Sequence, residues 1–258
     1  MKKELQTGQI EFINIAKSYR TSKGKYGLLR DIIGEKFSGL SSAKSKNQEK
    51  FYALRNISFT VNPGECLGII GNNGAGKSTI LKLISKITYP EKGLVKARGR
   101  IGAFIELGAG LHHELTGKEN IYLYGAILGM SKAEIKKQYR DIVRFAGIGK
   151  FLDVPIKKYS SGMYSRLGFS VCAFSDPDIL LVDEVLAVGD IDFQKRCLEK
   201  MHSFAGRKTI VFVSHNLDAI KSICSRVIFI DGGEIVKIGR PNDVIKEYVR
   251  RSSKSRKN

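Results

Sequence analysis

Residues 71–79 read GNNGAGKST, from Gly71 through Asn72, Asn73, Gly74, Ala75, Gly76, Lys77 and Ser78 to Thr79, and fit the pattern GxxxxGK[ST]. Glycines at this spacing let main-chain N–H groups approach phosphate oxygens closely, and Lys77 brings a cation to the outer phosphates. The Ser78 hydroxyl is of the right type to ligate Mg²⁺. A nucleotide site also needs a carboxylate for the metal and a group that activates water. ILLVDE supplies two acids at the end of an apolar run: Asp183 suits the Mg²⁺ shell and Glu184 the polarisation of the attacking water. In YSSGM, Ser160, Ser161 and Gly162 precede a helical run. They either expose a helix N-terminus to an anion or form an ordinary N-cap.

These side chains need a scaffold that brings strand ends and helix starts to one edge. CLGII before the glycine-rich loop reads as a buried strand, and ILKLIS after it as a helix, the context that the loop chemistry requires. IEFINIAKSYR alternates as a strand, and FYALRNISFTVNPGE is a strand closed by a Pro-Gly turn. Residues 20–50 are polar and basic. Within them LLRDIIGEKF sets Leu29, Ile32, Ile33 and Phe37 at helical spacing. Between 117 and 175 the apolar spacing is helical, with Ser131 as an N-cap between IYLYGAILGM and AEIKKQYRDIVRFAGI. DILLVDE, TIVFVSH and RVIFIDGGEIVKIG return to strands. The pattern predicts an α/β core with an inserted helical block, and a frayed basic end at EYVRRSSKSRKN.

Composition removes several classes. The chain has 258 residues and a net charge of +19, with 44 Lys and Arg against 25 Asp and Glu. No run reaches the 18 or so apolar residues of a membrane-spanning helix, and no apolar core follows the basic start expected of a secretory signal. Cys66, Cys172, Cys197 and Cys224 form no CxxC pair, so they read as buried reduced thiols. His112 and His113 lack further recognisable ligands and read as a loop pair. Residues 1–50 carry 11 basic against 5 acidic side chains, and 246–258 carry 6 against 1. That concentration, away from the phosphate loop, suits an anionic membrane surface.

The order Gly71–Thr79 loop, YSSGM, ILLVDE resembles the nucleotide-binding subunits of ABC transporters, and the resemblance covers residues 9 to 250. It implies a P-loop ABC ATPase core with an N-terminal antiparallel β subdomain and an inserted helical subdomain at 107–176, within one domain over 1–248. It also implies ATP and Mg²⁺ as cofactors. YSSGM stands for the usual LSGGQ signature, LAVGD ending in Asp190 for the D-loop, and His215 of VFVSH for the γ-phosphate sensor. Glu106 lies where the family places glutamine, within reach of metal or water, and its charge would alter hydrolysis. The adenine-stacking ring is Tyr19, with Tyr26 or Tyr52 as alternatives. The resemblance implies a head-to-tail homodimer in which the Ser160–Gly162 turn of one copy closes the other copy's loop.

IELGAGLHHELTGKENIYL, KYSSGMYSRLGFS and DEVLAVGDIDFQKRC are similar to the branch that exports O-antigen, capsule or teichoic acid. That branch implies a polytopic permease partner, a lipid-linked polysaccharide, and a peripheral position on the cytoplasmic face of the membrane. In it, the 20–50 segment sits near the channel mouth. The 249–258 stretch reads as a tail, without a separate glycan-binding domain. A soluble ABC ATPase acting on nucleic acid or ribosomes is the alternative. One phosphate loop, and only 85 residues between Lys77 and Gly162, argue against it and for no nucleic acid.

Overall fold

The structure is a computed structural model that describes residues 4–20, 50–104, 110–183 and 189–255. The expected helix over 29–37, and Tyr26, Glu106 and Glu184, lie outside those residues. Two sheets organise the rest. β1 (Ile10–Arg20) lies between β2 (Lys50–Val61) and β4 (Lys92–Ala97) in a three-stranded antiparallel sheet. The larger sheet has the order β5-β6-β7-β3-β8-β9, from β3 (Cys66–Ile70), β5 (Ile101–Phe104), β6 (Ile179–Val182), β7 (Thr209–Val213), β8 (Arg226–Asp231) and β9 (Glu234–Gly239). All its pairs are parallel except the β8–β9 hairpin.

Strands β3, β6 and β7 are buried at every residue. Their unbroken apolar runs follow, because a parallel sheet is covered on both faces. Alternation then sorts the side chains into two cores. Leu67, Ile69, Leu181 and Val211 pack with β1, β2 and helix α1 (Lys77–Ile84). Ile70, Leu180, Val182 and Phe212 face the other way, against the helical insert and the helices that return to the sheet.

The insert comprises α2 (Gly117–Ile127), α3 (Lys132–Ala146) and α4 (Ser161–Phe174). Ser131 and Glu134 form a capping box on α3, so the N-cap read from sequence is present, and Thr116 with Glu119 does the same for α2. Phe104 of β5 meets Phe169 of α4 edge-on at 5.3 Å, which seats the insert on the sheet. α5 (Ile191–Phe204) and α6 (Leu217–Ile223) follow β6 and β7.

The chain end corrects one expectation. EYVRRSSKSRKN does not fray at its start but continues α7 (Pro241–Ser255). Val244 and Ile245 are buried, Tyr248 packs on Phe229 at 5.2 Å, and Glu247 pairs with both Arg250 and Arg251. An apolar face and i,i+3 and i,i+4 ion pairs together hold a helix that composition alone suggests is loose.

Candidate functional site

The glycine-rich loop turns from β3 into α1 under tight steric constraint. A Cβ on Gly71 would collide with the Ile230 carbonyl, so the loop leaves the sheet pressed against β8. Gly76 has φ +105, and a Cβ there would lie 2.5 Å from the Ala53 carbonyl and 2.7 Å from Leu54. Only glycine fits both the angle and the space. No side chain caps α1, whose N-terminus opens beside Asn72, Asn73, Gly74 and Ser78 on the exposed side of the loop. Lys77 is only 5% exposed, and its ammonium donates to the carbonyls of Gly71 (2.8 Å) and Asn72 (3.0 Å). A buried cation held inside a curved backbone, with exposed N–H-bearing residues around it, matches the donor set that a polyphosphate requires.

Neighbouring strands deliver the other groups to the same edge. Asp183 follows β6 directly and its N–H donates to the Phe104 carbonyl at 3.2 Å. His215 follows β7 at the edge where ligands of open α/β sheets bind. Its Nε2 lies 3.0 Å from Asn73 Oδ1. An amide oxygen accepts, so a proton on Nε2 would complete this contact as a hydrogen bond. Ser214 accepts the Asn216 N–H, and Asn216 caps α6, which fixes His215 between a strand end and a helix start. The structure therefore brings His215 and the loop together, a contact that no linear motif announces.

Ser160 caps α4, its hydroxyl accepting the Met163 N–H at 3.2 Å. YSSGM thus forms an ordinary N-cap, which leaves Ser161 and Gly162 in the first turn of the helix. A Cβ on Gly162 would lie 3.9 Å from Gly189 Cα, so this turn adjoins the segment that ends in Asp190. Asp190 caps α5 through the Phe193 N–H (2.8 Å) and pairs with Arg166 of α4 at 3.1 Å. The Phe193 N–H, then Arg166 and Arg196, hold its carboxyl below the usual carboxylate range. The Arg166 partnership is a second contact missed in the sequence, where 24 residues separate the pair.

Tyr19 and Tyr52 are both part-exposed on the β1–β2 pair, each with a cation over its ring, Lys17 at 5.2 Å and Arg55 at 5.5 Å. Tyr52 precedes Ala53, whose carbonyl abuts Gly76, so that end of β2 borders the phosphate loop. His112 and His113 belong to a structured loop: His112 accepts the Glu114 N–H, and His113 stacks on Tyr164 of α4 at 5.5 Å. Among the described residues no three His, Cys, Asp or Glu side chains gather as a metal set, and no helix is long and apolar enough to cross a membrane.

A parallel sheet whose carboxyl edge holds a glycine-rich loop, an acid and a histidine defines a nucleoside-triphosphate-binding protein. The ABC transporter family matches residues 54–187. An O-antigen export system ATP-binding protein, RfbB, of Klebsiella pneumoniae is 42% identical over 240 residues, covering 93% of this chain and 96% of that protein. A teichoic acids export ATP-binding protein, TagH, of Bacillus anthracis is also 42% identical over 241 residues, but the match spans only 42% of its length. Among solved structures, a dimeric ATP-binding cassette bound to ADP and Pi superposes with a TM-score of 0.71 at 21% identity, over 90% of this chain and 98% of that one. An ATP-binding subunit of an ABC transporter superposes at 0.72 and 22% identity, over 93% and 92%. The chain belongs to the ABC transporter family, as one of its ATP-binding and ATP-hydrolysing subunits.

Proposed function

We propose that this subunit drives export of a lipid-linked polysaccharide, of the O-antigen, capsule or teichoic acid type, through a separate polytopic permease. The observation that carries this reading is the near end-to-end match, at 42% identity, to an O-antigen export ATP-binding protein. The subunit works as a homodimer on the cytoplasmic face of the membrane, in one ATPase domain over 1–248 with its helical subdomain at 107–176. The basic 20–50 segment meets anionic lipid.

In each copy the 71–79 loop grips the triphosphate and Lys77 meets its outer phosphates. Ser78 and Asp183, with Glu106, are the residues that hold Mg²⁺, which when bound neutralises charge on the phosphates. Glu184 orients and deprotonates the attacking water. His215, already in contact with Asn73, registers the terminal phosphate. Tyr19 stacks on adenine, with Tyr26 and Tyr52 as the alternatives. The second copy contributes Ser160, Ser161, Gly162 and Asp190. ATP closes the dimer and hydrolysis reopens it, and the helical insert passes that motion to the permease.

Glu184→Gln tests the reading in two assays. Purified, the variant retains ATP and stays dimeric without turnover. In the cell, it fails to restore the surface glycan of a strain lacking this chain. Undiminished turnover would remove Glu184 from its role. A normal glycan coat, together with salt-dependent DNA binding by the pure protein, would favour a nucleic-acid-acting ATPase instead.

A further inference from the structure

One guanidinium lies outside the nucleotide site and ties together three places that the chain keeps far apart. Arg100 immediately precedes β5, the strand that leads into the helical insert. Its main chain is fixed to the insert's exit: its N–H donates to the Asp178 carboxylate at 2.7 Å, and its carbonyl accepts the N–H groups of Asp178 (2.9 Å) and Ile179 (3.1 Å). Its side chain reaches both ways from there. Nη2 donates to the carbonyl of Asp176, just past the end of α4, at 2.9 Å. Nη1 lies 3.5 Å from the Gly129 carbonyl and 3.6 Å from Glu134, at the corner between α2 and α3.

The corner lies in contact with it. Gly129 has φ +81, and a Cβ there would lie 3.5 Å from Arg100 Cδ. Glu134 serves α3 twice, as the capping-box acid over Ser131 and as the carboxylate facing Arg100. The two Ser131 hydrogen bonds come first, then Arg100, in holding its carboxyl below the usual range.

The insert joins the core covalently at two places, after β5 and before β6. Two attachments define an axis, and rotation about it is resisted only by contacts away from that axis. The Phe104–Phe169 packing is apolar, and Arg166 of α4 pairs with Asp190 at 3.1 Å. The planar fork of Arg100 spans from the insert's exit to the α2–α3 corner, 2.9 Å from one carbonyl and within 3.5–3.6 Å of a second carbonyl and a carboxylate. We infer that Arg100 is a positioning residue, a brace that sets the angle at which the helical insert presents Ser160–Gly162 to the second copy's nucleotide. The inference rests on the dimeric ATPase reading above and adds to it a determinant outside both halves of the composite site.

Spin labels at Lys137→Cys in α3 and Lys195→Cys in α5 report that angle directly. Both positions are exposed, while the four native cysteines are buried and burial pushes the Cys172 thiol up to about 12. In Arg100→Ala the label-to-label distance distribution broadens, kcat falls about tenfold or more, and KM for ATP moves less than about twofold. Arg100→Lys keeps a charge for Glu134 but loses the fork, so it broadens the distribution partially. Glu134→Gln, which preserves the capping box, changes it least. A narrow, unchanged distribution in Arg100→Ala overturns the brace, as does full kcat. If Arg100→Ala does not fold, an Arg100→Lys distribution identical to the parent's overturns it equally. Absence of ATP turnover in the unmodified chain would refute the ATPase reading, while the distances still decide the brace.

Discussion

Asn120 offers the sharpest test of how the helical insert is held. It is fully buried in the first turn of α2, at 0% exposure. Its Oδ1 accepts the His112 N–H at 2.7 Å, and its Nδ2 donates to the carbonyls of His112 (3.1 Å), Leu115 (3.0 Å) and Thr116 (2.9 Å). Each of those carbonyls has another donor: Leu115 N on His112, Ile156 N on Leu115, and Asn120 N on Thr116. Truncation to alanine therefore strands chiefly one part-buried donor, the His112 N–H. An orphaned donor shielded in this way costs about 1–3 kcal/mol, and the small cavity left by the fully buried Asn120 side chain adds about 1, so Asn120→Ala should destabilise by about 2–4 kcal/mol. At about 2–4 °C per kcal/mol for a chain of this size, Tm falls by roughly 5–15 °C. Asn120→Asp keeps the acceptor but turns a carboxylate toward three carbonyl oxygens. It should be at least as damaging at neutral pH and should recover partly in acid. Denaturant unfolding of the three proteins, with hydrogen exchange across 112–116, measures this. A loss under about 0.5 kcal/mol in Asn120→Ala, the range of a surface substitution, would mean that Asn120 does not hold the insert's entry.

Gly76→Ala forces a Cβ to within 2.5 Å of the Ala53 carbonyl at φ +105, so ATP binding falls at least tenfold, read by nucleotide titration. The carboxyl of Glu247 is pulled down to about 2, first by its hydrogen bond from Arg250 and then by that from Arg251. A depressed carboxylate stabilises above its unfolded pKa and loses that contribution as pH falls, so the end of α7 should loosen between about pH 4.5 and 2. Amide exchange at 247–253 checks it, and protection unchanged across that window contradicts the ion-pair account. Replacing the basic residues of 20–50 by glutamine should impair glycan display more than ATP turnover in the pure protein, and equal losses reject a lipid-facing role.

Much of the fold was legible because the burial pattern is written in residue type. CLGII, ILLV and TIVFV had to be covered on both faces, and GNNGAGKST required a strand before it and a helix after it. The β4 strand was not legible: KGLVKA is exposed to part-exposed throughout and carries no clean alternation. The α7 end was misread because its stability comes from a shared ion pair and a distant aromatic, Phe229, neither visible in local composition. At the site, local motifs named the residues, whereas the contacts linking His215 to Asn73, Asp190 to Arg166 and Arg100 to Asp176 span 142, 24 and 76 positions. Such pairs exist only once the fold brings distant segments together, and Asn120, between Glu119 and Ile121 in the sequence, gives no sign of its burial until its main-chain partners are seen.

If each ATP site is built from two copies, as proposed above, mixing two inactive chains restores turnover. Lys77→Ala disables the loop, and Gly162→Asp sets a negative charge where the signature meets the phosphates. Its own chain tolerates the new Cβ, which would lie no closer than 3.8 Å to Ser160 and 3.9 Å to Gly189. Neither variant alone should turn over ATP. Mixed in equal amounts, the two leave one intact composite site in each mixed dimer, and turnover should return to about a quarter of the parent rate. A mixture as inactive as its components would mean that each copy holds a complete site of its own.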